Sequence, residues 1–236
     1  MALDLDGAVA VVTGGGSGIG AAAADFLERG GARVHRLDLK GAIEVDVTSR
    51  PDLEAFASTL DELHVLVNAA GILTDNAPAE DAPIEDFQRA LEVNVVGTVN
   101  ACQIFGGLLR RSGRGAIVNV ASQAASVALP SQSAYTTSKG AVVAFTRALA
   151  VDWARQGVRV NAVAPGFTVT PLTAAFFADE AKLEGTKRRI PLGRVIEAEE
   201  VAAAIGFLAS PLASAITGAI LAVDGGWTAG EASLPW

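Results

Sequence analysis

Residues Val9-Ala10-Val11-Val12-Thr13 run directly into Gly14-Gly15-Gly16-Ser17-Gly18-Ile19-Gly20, and an alanine-rich stretch of helical period continues to residue 29. Glycine permits the tight turn and lets backbone N–H groups approach a pyrophosphate, whose charge the positive end of a helix favours. A glycine pattern alone can be a plain turn. Its place between an apolar run and a helix gives it weight.

Outward from this turn, short apolar runs alternate with longer helical stretches. The runs fall at 33–37, 43–47, 65–67, 116–120, 158–163 and 219–223, and the helical stretches at 51–62, 84–110, 134–154 and 198–209. This alternation predicts an α/β, doubly wound Rossmann fold, one domain over 1–236, with a mostly parallel sheet covered on both faces by helices. Ligands of such sheets sit beyond the carboxyl ends of the strands, where the winding reverses. The stretch 166–193 lacks a clear period and is too long for an ordinary connection, so a substrate lid is expected there, a surface excursion being the alternative.

Half of the 236 residues are hydrophobic and 19% are charged, which gives ample burial and argues against disorder. A net charge of −8 and a pI near 4.8 weigh against a nucleic-acid or anionic-lipid partner. The single cysteine, Cys102, excludes an internal disulfide, suits a reducing cytoplasm and reads as a small core residue. No basic segment followed by an apolar one opens the chain, so no export signal is expected and the cytoplasm is. The charge-poor stretches 115–138 and 160–178 contain proline and many polar side chains, so no membrane span is expected. No metal site is expected.

The second apolar run leads to Asp38, eighteen positions beyond Gly20, where an acid can accept hydrogen bonds from both hydroxyls of an adenosine ribose. A carboxylate there repels a 2′-phosphate, and no cation sits at Ser17 or Leu39, which favours NAD over NADP. Arg36 and Lys40 lie close enough in sequence to keep NADP as the alternative. Asp46 and Val47 follow the third run, where a carboxylate either meets an adenine amino group or caps the strand end. Asn68-Ala69-Ala70-Gly71 follows the fourth run, and its small residues allow close passage to a cofactor or simply a tight turn.

Tyr135, the only tyrosine, lies four residues before Lys139, so both side chains leave one helical face. A free phenol titrates near pH 10 and exchanges protons at neutrality only if made more acidic. A neighbouring ammonium and a positive nicotinamide both favour the phenolate, and a lowering by about two to three units corresponds to roughly 3–4 kcal/mol. Ser122 ends the run 116–120 at the ligand edge, where its hydroxyl could hold a reacting oxygen. Asn94 lies beside the apolar stripe Phe87, Leu91, Val95 and Thr98, and could order a water leading from Lys139 to solvent, or be a core amide bonded to backbone.

Taken together these residues resemble the short-chain dehydrogenase/reductase family along essentially the whole chain. Thr13 to Gly20 resembles its TGxxxGxG loop, Asn68 to Gly71 its NNAG motif, and Asn94, Ser122, Tyr135 and Lys139 its catalytic tetrad. Pro165-Gly166 with Thr170 resembles the segment that touches the carboxamide, and Thr217-Gly218 through Asp224-Gly225-Gly226 the last strand and its exit. The resemblance implies Tyr135 as general acid or base, Lys139 lowering its pKa and holding the nicotinamide ribose, Ser122 on the reacting oxygen, and Asn94 on a relay water. It implies a cofactor set of Gly14, Ser17, Gly18, Ile19, Gly20, Asp38, Asp46, Val47, Asn68, Ala69, Gly71, Tyr135, Lys139, Pro165, Gly166, Thr168 and Thr170. It further implies seven strands in the order 3-2-1-4-5-6-7 and a homotetramer built through 84–110 and 134–154.

Two features depart from the family pattern. Ala69 replaces the second asparagine of NNAG, and only seven residues separate Asp38 from Asp46, too few for a crossover helix. The implied activity is hydride transfer between a secondary alcohol or ketone and NAD. Residues 148–170 are most similar to sugar, polyol and sugar-acid dehydrogenases. A dihydrodiol dehydrogenase and a 3-oxoacyl carrier-protein reductase are the alternative enzymes, and a non-catalytic NAD-sensing regulator is the alternative of another class. Ala124, Gln132, Phe167 and Phe176 are the candidate substrate contacts by proximity, with an apolar wall expected from the phenylalanines. Lys187-Arg188-Arg189 could recognise a carboxylate or phosphate, or be a solvated turn.

Overall fold

The computed structural model describes residues 3–41 and 43–230. Seven strands, β1 (Val9–Thr13), β2 (Arg33–Asp38), β3 (Ile43–Glu44), β4 (Val65–Asn68), β5 (Gly115–Val120), β6 (Val158–Pro165) and β7 (Ile220–Val223), form one parallel sheet in the order β3-β2-β1-β4-β5-β6-β7. The α/β alternation and the implied strand order therefore both hold. The central strands are near-continuous apolar runs because both faces of the sheet are covered.

Strand alternation divides the core in two. Ala10 and Val12 of β1 join Ala23 and Leu27 of helix α1 (Gly18–Arg29) and Val201, Ala202 and Ile205. Val9 and Val11 turn to the opposite face, where Leu66, Ile117, Leu53, Phe105 and Leu109 pack. The helices of that face are α2 (Arg50–Ala57), α3 (Ile84–Ala90), α4 (Gly97–Arg111) and α5 (Ser133–Trp153). Helices α6 (Ala174–Phe177) and α7 (Glu180–Arg189) follow β6, and α8 (Ala198–Ala209) returns to the face of α1.

The structure departs from the sequence-based elements at identifiable places. The helix expected over 84–110 is interrupted by a π-helical segment, Leu91–Val96, whose wider turn carries Asn94 inward until it is 1% exposed. Helix α2 ends at Ala57, because Ser58 and Thr59 turn their hydroxyls back onto the carbonyls of Ala55 and Phe56, both at 2.7 Å. Strand β3 keeps only two residues. The stretch 166–193 is not wholly irregular: α7 forms there on an Asp179 cap that accepts the Lys182 N–H at 3.1 Å. Its sequence, Glu180 to Arg189, is almost entirely polar and so carries no apolar stripe for a periodicity reading to find. No helix among the described residues is long and apolar enough to cross a membrane.

Phe105 is fully buried and stands edge-on to Phe56 with ring centroids 6.2 Å apart. Phe105→Ala is expected to cost about 3–5 kcal/mol, read from denaturant unfolding; a loss below about 1 kcal/mol would contradict its place in the core.

Candidate active site

The carboxyl ends of the strands open into a cleft of about 1100 Å³. One end is lined by Asp38, Leu39, Asp46 and Val47, and the other by Ser122, Tyr135, Lys139 and the loop Pro165–Thr173, with the glycine turn between them. The winding reverses here, since β1 pairs with β2 on one side and β4 on the other, bringing Thr13 into register with Asn68.

The glycine turn follows from steric necessity. Gly14 has φ +66°, and a Cβ there would lie 2.6 Å from the backbone nitrogen of Ala70; one on Gly20 would strike the Gly14 carbonyl. Ser17 opens α1 without a side-chain cap bond, and no acid occupies its first turn. The first N–H groups of the helix are thus left for an anion. Asp38 accepts the Gly16 N–H at 2.9 Å and the Leu39 N–H at 2.8 Å, one on each oxygen, and each oxygen retains acceptor capacity. Arg36 is drawn away by Asp25 at 2.7 Å and Glu28 at 2.6 Å on α1. A cleft of this length, with a free helix start in the middle and a carboxylate at one end, fits a dinucleotide.

At the other end, the first turns of α5 carry Tyr135 and Lys139 on one face, the Lys139 Nζ 5.8 Å from the phenol ring centroid. Lys139 is 6% exposed, and its amine donates to the Val120 carbonyl at 2.9 Å. Burial pulls its pKa down to about 8. Burial also raises the Tyr135 phenol above its usual value, with the Ser122 hydroxyl acting in the lowering direction. The shift of the phenol is thus opposite to the acidification expected from the sequence: desolvation disfavours both charges, and for Tyr135 it outweighs the hydrogen bond from Ser122.

A family model described as Enoyl-(Acyl carrier protein) reductase matches residues 14–228. The chain belongs to the short-chain dehydrogenase/reductase family. An uncharacterized short-chain type dehydrogenase/reductase of Sinorhizobium fredii is 41% identical over 94% of this chain, which spans 44% of that relative's length. D-threitol dehydrogenase of Mycolicibacterium smegmatis is 39% identical over 95% of this chain and 94% of its own. Galactitol 2-dehydrogenase of Cereibacter sphaeroides is 41% identical over 95% and 96%. Among solved structures, aldohexose dehydrogenase of Thermoplasma acidophilum superposes with a TM-score of 0.93 at 33% identity, covering all of both chains. A gluconate 5-dehydrogenase of Burkholderia cenocepacia in complex with NADP and tartrate gives 0.92 at 31% identity, covering 98% of this chain and 100% of its own.

In this short-chain dehydrogenase/reductase, the cleft is lined by Gly14, Ser17, Gly18, Ile19, Gly20, Asp38, Asp46, Val47, Ala69, Gly71, Ser122, Tyr135, Lys139, Pro165, Gly166, Thr168 and Thr170. Asp46 also caps its own turn, accepting the N–H and hydroxyl of Thr48 at 2.8 Å each. Asn68 is not among the lining residues. Strand alternation turns its side chain to the opposite face, where its amide donates to Asn119 at 2.9 Å and to the Cys102 sulfur at 3.3 Å. Cys102 is buried, and its thiol pKa is pushed up to about 12.

Asn94 stands just behind the cleft wall. Its amide exchanges bonds with the backbone of Ile72 at 2.8 and 3.1 Å and donates to Ser138 at 3.0 Å. A Cβ on Gly71 would lie 3.0 Å from its Oδ1 and 3.4 Å from Lys139 Nζ, so the two groups face a common point.

The four substrate candidates that sequence proximity added do not line the cleft. Ala124 is buried and donates its N–H to Ser122 Oγ at 3.1 Å. Gln132 precedes α5 and gives its carbonyl to Thr136. Phe167 stacks on Phe176 at 5.5 Å and meets Trp227 at 5.0 Å, so these rings pack on one another. The wall is supplied instead by Ile72, Leu73, Leu172, Thr173 and the exposed Glu85, Gln88, Arg89 and Glu92. The helical spacing of those last four, opposite the apolar stripe, was the signal available in the sequence.

The Lys139 shift fixes a pH effect on stability. An unfolded lysine titrates near 10.4 and the folded one near 8, so between these values the unfolded chain binds more protons and stability rises with pH. Going from about pH 7.5 to 9.5 should gain wild type about 2 kcal/mol over Lys139→Met in denaturant unfolding without cofactor. Parallel curves for the two proteins would refute the buried, destabilised ammonium.

Proposed function

We propose that this oxidoreductase uses NAD to oxidise a secondary alcohol of a sugar, polyol or sugar acid, or to reduce the corresponding ketone, with Tyr135 as general acid/base. The observation that carries this reading is the buried Ser122 and Lys139 gathered with the half-buried Tyr135 at one end of a cleft whose other end is lined by Asp38. A nucleotide-sensing protein has no need of an ionisable pair buried at such cost.

Ser122 Oγ accepts the Ala124 N–H, which leaves its own proton for the reacting oxygen of the substrate. Tyr135 takes the proton from the carbinol hydroxyl in oxidation and returns it in reduction. The Lys139 ammonium, on the same helical face as the phenol, favours the phenolate. An oxidised nicotinamide, when bound, would supply the hydride acceptor for the carbinol carbon and a positive charge that favours the phenolate. Together these offset the desolvation that raises Tyr135 in the cofactor-free protein. The second lone pair of Asn94 Oδ1, facing the point shared with Lys139, suits a water that passes the proton outward.

Asp38 supports NAD over NADP, because a 2′-phosphate would meet its carboxylate while Arg36 is held by Asp25 and Glu28. Residues 166–193, with α6 and α7, serve as the substrate lid. Assembly into a homotetramer would use the α5 and 84–110 helices, which carry the exposed apolar side chains Leu91, Val96 and Val151. The buried free cysteine suits a reducing cytoplasm.

Tyr135→Phe should lower kcat of NAD-coupled oxidation by orders of magnitude while the unfolding midpoint stays within about 1 kcal/mol of wild type; near-normal turnover would remove the proton-transfer role. Asp38→Ala should shrink the ratio of kcat/KM for NAD to that for NADP. A ratio equal to wild type would remove the ribose contact.

A further inference from the structure

Building on that reading of the site, we infer that the substrate is an uncharged polyhydroxy alcohol or its ketose, and that sugar acids and sugar phosphates are rejected by charge. An anionic substrate needs a cation or free N–H and O–H donors near the reacting phenol. Among the described residues lining the cleft, the only cations are Lys139 and Arg89. Lys139 already donates to the Val120 carbonyl and is buried beside the phenol it serves. Arg89 is exposed at the mouth, with Glu85 four residues before it and Glu92 three after, both also lining the cleft.

The basic run at the end of the lid does not supply the missing charge. Lys187 pairs with Glu184 at 2.7 Å and Arg189 lies over the Trp227 ring at 4.2 Å, and none of Lys187, Arg188 and Arg189 lines the cleft. Glu85 and Glu92 therefore balance Arg89 at the mouth, and the remaining lining carboxylates, Asp38 and Asp46, lie at the far end of the cleft and bring no cation either. A bound dinucleotide brings further phosphate charge.

The hydroxyls of the lid loop point the same way. Thr173 Oγ has two carbonyls within reach of its proton, Thr168 at 2.6 Å and Thr170 at 3.1 Å, accepts the Thr170 N–H at 3.1 Å, and lies 3.0 Å from the Thr170 hydroxyl, where either oxygen can donate. Thr168 in turn donates to the Gly166 carbonyl at 3.0 Å. The Thr168 and Thr173 protons thus have carbonyl acceptors within the loop, and the oxygens of Thr168 and Thr170 keep lone pairs. Such a loop offers acceptors to the O–H groups of a polyol and brings no cation to a carboxylate.

The test compares matched pairs under NAD-coupled oxidation at low and high salt: galactitol with galactonate, threitol with threonate, and glycerol with glycerol 3-phosphate. The neutral member of each reactive pair should show kcat/KM roughly tenfold or more above its anion, with the gap narrowing in high salt. A Glu85→Gln, Glu92→Gln double variant should narrow it as well. An anion used equally or better, or a gap untouched by salt and by the double variant, would overturn the inference. Calorimetry on the protein with NADH bound gives a second readout that needs no turnover. Galactitol binding more tightly than galactonate upholds the charge preference even if no alcohol is oxidised, a result that would remove the proposed reaction alone; tighter galactonate binding, or no galactitol binding, overturns the preference.

Discussion

The site depends on how closely two stretches of backbone approach each other at the carboxyl edge of the sheet. The glycine turn after β1 passes so near the exit of β4 that a methyl on Gly14 would sit 2.6 Å from the Ala70 nitrogen. Hydrogen bonds hold the two together: the Ala69 N–H reaches the Thr13 carbonyl at 3.1 Å, while the Gly15 N–H reaches back to Leu37 at 3.0 Å. Because β1 is tied to β2 and β4 at once, its loop lies at the point where the winding reverses, and the cleft opens over it. Side chains at Gly14 and Gly20 would meet backbone, so at the turn itself the cleft is bordered by backbone.

The chemical end is built on the opposite principle, burial of groups that would rather be in water. Lys139 loses much of its affinity for a proton, and Tyr135 resists losing its own, both through desolvation. What keeps them in place is a set of neutral bonds. Ser138, between them on α5, donates to the Tyr135 carbonyl at 2.7 Å and accepts from Asn94 at 3.0 Å, and Asn94 binds the backbone of Ile72 beyond β4. The π-helical turn is what allows Asn94 to reach inward far enough to make these bonds. The first turns of α5 are thereby clamped to the loop that forms the floor of the cleft.

The segment after β6 is anchored by aromatic packing. Phe167 lies between Phe176 and the 7% exposed Trp227, which is covered on its other side by Arg189 of α7. These rings fasten the segment after β6 to the turn after β7, and Thr168 and Thr170 are left facing the cleft. Side chains that looked like a substrate wall in the sequence thus hold the wall in position.

The sequence by itself determined the β/α alternation, the glycine turn, the place of Asp38 and the Tyr135–Lys139 face, since each follows from local spacing, whereas the strand order came only through the family resemblance. Those signals reside in neighbours along the chain. What tertiary structure decided was which atoms meet across the chain. Asn68 turned away from the cleft to Asn119, the phenylalanines closed on Trp227, Arg36 went to α1, and Glu85, Arg89 and Glu92 came to the mouth of the site. The sign of the phenol's shift belongs to the same group, because desolvation is set by everything packed around a residue and not by the residue four positions away.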